Sequence, residues 1–320
     1  HGRPLLPTPQ PRSLLYLFVC LLALAATPGI VRAQALAAGP GKGGSASSTS
    51  SNGPAGIVPA QTGFNASLTT ATQHDSSSGW ASLLNPTLAY RLNSHLSADA
   101  TLPIYSYISI DARRGTKAKP VYKYVTKHGA LGDTALAAHL DLSPSLFDYT
   151  LTGTLGIPTG KPAYGLGAGK VTYNLTNHFE KELGIFTPDI EAGAGDSNSL
   201  LGRRVRKSFT SVGTLANFQA GTSIDLPHGI EFESDAYEQL PLTNSTIYSN
   251  TGRGKKKVTV VLSTGSAEDN GFNNSLDIPF GGHLMLSGFY NRSLRLHDDV
   301  AGFSLTFLLK APPPPVDIVE

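Results

Sequence analysis

One cysteine, one methionine and one tryptophan in 320 residues leave little for thiol or metal chemistry to use. The only thiol, Cys20, lies in a hydrophobic stretch near the N-terminus, so the rest of the chain has no disulfide framework and no cysteine-based metal site. Charge is scarce as well. Asp, Glu, Lys and Arg make up 15% of the chain, where a soluble domain averages about 25%. The formal net charge of +2 supplies no basic field of the kind nucleic acid attracts, and no nucleic-acid partner is expected. Nine histidines include no pair at metalloprotease spacing, and no Gly-x-Ser-x-Gly elbow is present, so the sequence carries no local signature of a hydrolase. The expectation is a non-enzyme without a cofactor.

What is abundant is glycine, at 34 copies, together with Ser, Thr and Asn. All four are poor in helix interiors, which disfavours a helical protein. At the N-terminus, Arg3 and Arg12 precede an uncharged run from Ser13 to Thr27, the length of a signal-peptide core and short of the roughly 20 residues that span a bilayer. Val31-Arg32-Ala33 places compact residues at the positions a signal peptidase reads, so residues 1–33 are expected to be an export signal, with Ala35 as the alternative cut. Residues 34–60, with Gly43-Gly44 and a run of Ser and Thr, have too little bulky apolar surface to offset their ordering entropy and read as a flexible linker. Residues 311–320 contain four consecutive prolines and read as an extended tail outside any sheet.

Between these ends, over residues 61–310, apolar residues recur with a period of two in segments of about 8 to 12 residues, the length of a tilted membrane-spanning strand. Leu84, Pro86, Leu88, Tyr90 and Leu92 form one set, and Leu96, Ala98, Ala100, Leu102 and Ile104 the next, with only Asn93-Ser94 between them. That spacing predicts a tight hairpin. Further sets run through Leu136 to Leu142, Phe147 to Ile157, Val171 to Leu175, Leu183 with Ile185, Val212 to Ala220, Ile230 with Phe232, Leu276 to Phe280, Leu284 to Tyr290 and Phe303 to Leu309. The total is about twelve strands. Residues 258–264 fit either the outer half of a long strand or an extra hairpin within a loop.

A soluble β-sandwich would show the same alternation. Loop lengths favour a membrane barrel instead: short connections at Asn93-Ser94, 143–145 and 225–229 alternate with long ones at 106–130, 192–208 and 241–257. Transmembrane barrels have short periplasmic turns and longer outer loops, and an even strand number returns both termini to the periplasmic side. The faces opposite the apolar ones carry His139, Asp141, Asp148, Glu231, Glu233 and Asp235. These are expected to line a lumen, since a closed sheet in lipid places its polar groups inward. The fold class expected is therefore all-β, a transmembrane antiparallel barrel of about twelve strands, in the outer membrane of a Gram-negative-type bacterium.

Leu155-Gly156-Ile157-Pro158-Thr159-Gly160, the Gly-rich Gly165-Leu166-Gly167-Ala168-Gly169 and the earlier Gly132-Asp133 pair resemble the outer-membrane family described as the putative MetA pathway of phenol degradation. The resemblance runs from about Gly129 to Leu309. It implies a barrel that admits small hydrophobic or aromatic solutes. Two features depart from that pattern: Phe307 is not terminal, and a Pro-rich extension follows it. The Gly-rich stretch does not fit a phosphate-binding loop, because Lys170 is followed by Val171 and Tyr164 occupies the first Gly position. Its glycines are expected within a barrel strand, for close packing or bending.

Three basic clusters, containing Arg113 and Arg114, Arg203 and Arg204, and Lys255 and Lys256, fall in the expected outer loops, where lipopolysaccharide phosphates are the natural partner and free solvation the alternative. Other expected partners are outer-membrane lipid, the barrel-assembly machinery and a small-molecule solute. The sequons Asn65-Ala66-Ser67 and Asn244-Ser245-Thr246 arise readily by chance in a chain rich in Asn and Ser. A channel or passive transporter is the leading functional expectation. A plugged structural or adhesive barrel, or an outer-membrane lipid hydrolase with Ser and His brought together in space, are the alternatives.

Overall fold

The computed structural model describes residues 62–309 apart from 77–78, 117–118, 145, 161–165, 169, 197–208, 212–213, 244–245, 250–257, 262–267 and 296. The expected export signal, linker and C-terminal tail lie outside the described residues. The strands are β1 Gly63–Asp75, β2 Gly79–Arg91, β3 Leu96–Thr101, β4 Ile104–Thr116, β5 Lys119–Lys127, β6 Ala130–Leu131, β7 Thr134–Leu142, β8 Asp148–Ile157 and β9 Thr172–Glu180. They continue as β10 Phe186–Gly195, β11 Phe209–Ser211, β12 Leu215–Leu226, β13 Ile230–Pro241, β14 Thr246–Ser249, β15 Val258–Val261, β16 Asp269–Phe280, β17 Leu284–Ser293 and β18 Asp298–Leu308. Among the described residues the helical content is one 3₁₀ turn at Pro227–Gly229.

These strands close into an antiparallel barrel of twelve staves. Each neighbour in sequence is a neighbour in space, and β1 pairs both with β2 and with β18, from Asp75↔Val300 to Ser67↔Leu308. Apart from β5, which pairs only with β4, closure gives the staves a neighbour on both sides, as lipid requires. The third stave is β3 followed by β4, and the fourth is β5, β6 and β7; the breaks fall at Leu102-Pro103 and at Gly132-Asp133. A register shift opposite, between Ser82 and Leu83 of β2, absorbs the extra residue.

The alternation in the sequence maps onto inside and outside in the sense opposite to a soluble protein. Phe64, Leu68, Leu88, Leu136, Leu155, Ile190, Phe303 and Leu305 stand exposed on the outer wall, while Asn65, Thr69, Asn85, Thr176, Ser304 and Thr306 are buried within the barrel. Aromatic contacts band the outer wall near its two ends: Phe64 with Tyr90 at one, His74 with Trp80 at the other. Such girdles mark the two membrane interfaces.

Two expectations are corrected. Residues 106–130 are not a long loop; most of them form β4 and β5, which pair from Ile108↔Lys127 to Thr116↔Lys119 and prolong the third hairpin. Within the Gly-rich stretch, Leu166, Gly167 and Ala168 are not strand but lie in the connection between β8 and β9. Of the two readings of the segment that begins at Val258, the hairpin within a loop holds over Val258–Val261: β15 pairs with β14 and β14 with β11 in a separate three-stranded sheet built from the long outer loops.

Candidate functional site

The inner wall from β9 to β16 is acidic. β9 contributes Glu180, β10 Asp189 and Glu191, β13 Glu231, Glu233 and Asp235, and β16 Asp277, and none of β9, β10, β12, β13 and β16 contains a Lys or Arg. Strand register stacks these groups side by side: Asp189 is opposite Glu180, Glu191 opposite His178 and Gln219, and Glu231 opposite Asp277. They sit towards the end of the barrel that carries the short turns at 181–185, 227–229 and 281–283, the periplasmic end in barrels of this type. Partners are few. Ser275 Oγ donates to Glu233 Oε2 at 3.1 Å, and the ring of His178 lies 3.4 Å from Glu180. Asp235 Oδ1 stands where a Cβ on Gly221 would come within 1.8 Å, so the glycine makes room for the carboxylate.

Towards β2, the inner wall is hydrogen-bonded more fully. His139 reaches Asp99 through Nε2 at 2.7 Å and Thr152 through Nδ1 at 3.0 Å. Arg91 of β2 approaches Asp141 at 3.4 Å, and Thr150 donates to the same carboxylate at 3.1 Å. Asp148 sits opposite Glu180 across β8 and β9. Of the inner residues singled out from the sequence, Glu231, Glu233 and Asp235 therefore belong to the acidic wall. His139 and Asp141 belong to the neighbouring neutralised stretch, and Asp148 lies between the two.

Arg113 and Arg114 lie in β4, opposite Tyr122 and Val121 of β5, at the outer end of the long hairpin. They are on a strand, where a loop was expected. Arg203, Arg204, Lys255 and Lys256 lie outside the described residues.

Sequence reasoning missed Asp189 and Glu191. Taking Leu183 and Ile185 as an outward-facing set put the odd positions of the seventh stave on the lipid side. In the structure Leu183 and Ile185 belong to the short turn, and the outward residues are Phe186, Pro188 and Ile190. Since side chains alternate strictly, that one-residue error moves every side chain of the stave to the wrong face. The carboxylates at 189 and 191, alternating with Pro188 and Ile190, were the available signal.

Also missed was the role of Asp133. Its two oxygens accept the backbone N–H of Gly160 at 2.9 Å and of Ala168 at 2.7 Å. Thr159 Oγ1 donates to the Gly132 carbonyl at 2.8 Å and accepts the N–H of Thr134 at 2.9 Å. The β8–β9 connection is thereby tied to the break in the fourth stave, and it seats Leu166 in a buried apolar cluster with Ala71, Leu83, Tyr105 and Ala130. A Cβ on Gly167 would lie 2.3 Å from Asp133 Oδ1, and one on Gly160 2.1 Å from the Leu166 carbonyl. The motif glycines thus serve close approach of the loop to a carboxylate.

No protein-family model matches the chain, and no curated protein matches it. Among solved structures, the COG4313 outer membrane channel from Pseudomonas putida F1 is similar over 80% of this chain and 100% of its own length, at 15% identity and a TM-score of 0.50. Outer membrane phospholipase A from Escherichia coli is matched over 78% of this chain and 97% of its own, at 11% identity and a TM-score of 0.36. OmpTdeltaL8 of Vibrio cholerae, a loop-deletion form of an outer membrane protein, is matched over 77% and 98%, at 7% identity and a TM-score of 0.35. Closed topology, apolar exterior and polar interior, with the first of these likenesses, make the chain a twelve-stranded barrel of the outer-membrane class.

Proposed function

We propose that this barrel is a channel that lets small solutes cross the outer membrane passively, with a preference for cations. The observation that carries the reading is the acidic inner wall from β9 to β16, in strands that contain no Lys or Arg. A field of one sign in a confined, low-dielectric passage raises the local concentration of the opposite charge. Twelve staves lie between the small barrels filled by side chains and the sixteen-strand porins with open aqueous channels, so a narrow passage suits the size.

The MetA-type resemblance implies small hydrophobic or aromatic solutes among those admitted. That the structurally similar Pseudomonas putida protein is described as a channel supports the same reading. The ring of His139, which meets the Thr152 hydroxyl and the Asp99 carboxylate, faces inward, where it suits a lumen better than a lipid-facing site.

The test is conductance of the detergent-purified, refolded protein in a planar bilayer, comparing wild type with Glu231→Gln plus Glu233→Gln. Discrete steps with cation preference, reduced in the double variant, are expected. Insertion without conductance overturns the channel reading in favour of a plugged structural barrel.

A further inference from the structure

Part of the acidic wall is more than a charged lining, because it holds buried acceptor atoms without a donor. Asp189 Oδ2 and Asp235 Oδ1 have no hydrogen-bond partner among the described residues, nor does Oε1 of Gln219. These three side chains belong to residues exposed by only 7%, 5% and 5%. Register brings them together: Asp189 and Asp235 both pair with Gly221, from opposite sides of β12, and Gln219 is the next inward residue along that strand. Buried carboxylates need a compensating charge, and an unsatisfied buried acceptor costs free energy of its own. Among the described residues this part of the wall has no basic side chain except the imidazole of His178, whose Nε2 is directed at Glu180.

We infer that Asp189, Asp235 and Gln219 form a binding site for the ammonium group of a small organic amine. Three unsatisfied acceptor atoms on three side chains match in number the three N–H donors that an ammonium group brings. The glycine at 221 lets the Asp235 carboxylate lie against β12 where a side chain would otherwise stand. The inference rests on the channel reading for the route by which the amine arrives, but binding and conduction are measured separately.

Benzylamine is the probe, with benzyl alcohol and benzyltrimethylammonium as controls that remove the charge and the N–H donors in turn. Binding is measured by calorimetry on the folded barrel in detergent, folding of each variant being checked by its heat-modifiable gel mobility. Benzylamine is expected to bind at least tenfold more tightly than either control, and Asp189→Asn plus Asp235→Asn to abolish that difference. Gln219→Met, which keeps the side-chain length and all charges, is expected to weaken benzylamine several-fold and serves if the double variant does not fold. Equal binding of benzylamine and benzyltrimethylammonium overturns the inference, reducing the wall to diffuse electrostatics; equal binding of benzyl alcohol overturns it in favour of apolar partition. Conductance without benzylamine binding defeats the amine site and spares the channel, whereas binding without conductance does the reverse.

Discussion

Replacing Asp133 by Ala removes a side chain that holds the β8–β9 connection at two points. Two charge-assisted hydrogen bonds are lost, to Gly160 N–H at 2.9 Å and Ala168 N–H at 2.7 Å. Bonds to a charged acceptor contribute about 1.5–3 kcal/mol each, but the freed amides regain water once the loop lifts, so the two are not additive. A net loss of about 2–3 kcal/mol of loop anchoring corresponds to a rise of roughly 30- to 150-fold in the open population. The effect is local, because the barrel hydrogen bonds do not pass through Asp133. Hydrogen exchange at the Gly160 and Ala168 amides is therefore expected to accelerate by that factor while the amides of β17 and β18 exchange as before. Asp133→Asn keeps one acceptor oxygen and should give a smaller acceleration. Gly167→Ala, whose Cβ would meet Asp133 Oδ1 at 2.3 Å, should reproduce the loss with the carboxylate still present. Unchanged exchange in both Asp133→Ala and Gly167→Ala would refute the anchoring role.

Other perturbations discriminate between the faces of the wall. Phe303→Arg, on the outer surface midway along β18 and 56% exposed there, is expected to destabilise the barrel by about 2–4 kcal/mol in denaturant titrations from lipid, the cost of a cation at the bilayer midplane; a loss under 1 kcal/mol would mean that this face does not meet lipid. Gly271→Ala places a Cβ 1.9 Å from the Arg292 carbonyl, a backbone atom that cannot swing aside, so the variant should fold less stably and lose heat-modifiable mobility at a lower temperature. Arg292→Ala breaks a 2.5 Å pair with Asp299 whose side chains are 33% and 36% exposed. An exposed pair is screened by solvent and contributes little to stability, so the denaturation midpoint of the variant should barely move.

The sequence by itself determined the class of fold. Period-two alternation with apolar residues at Leu84 to Leu92 and Leu96 to Ile104, joined by Asn93, has one economical solution, and the structure adopts it, with Asn93 Oδ1 accepting the N–H groups of His95 and Leu96 at 2.8 Å. Alternation is local information, carried by neighbours along one strand, and so it is legible without any tertiary contact. It fails where a stave is short of bulky apolar residues. In Phe186–Gly195 only Phe186, Pro188 and Ile190 mark the lipid side, and the phase was misread from Leu183 and Ile185 in the turn before it.

Tertiary structure alone decided the rest. That Asp189 and Asp235 flank Gly221 depends on the register of three neighbouring staves, and register is a property of pairing, not of any one strand. Asp133 looked like a motif residue without a partner; the fold brings it within hydrogen-bonding reach of the Gly160 and Ala168 N–H groups because the fourth stave breaks at Gly132 and the β8–β9 connection turns back onto it. The paired strands at 104–127 read as loop because their polar residues carry no clean alternation, and the hairpin is held by its ladder with the adjoining strand. Local pattern specified which residues face lipid; closure of the sheet specified which of the others face one another.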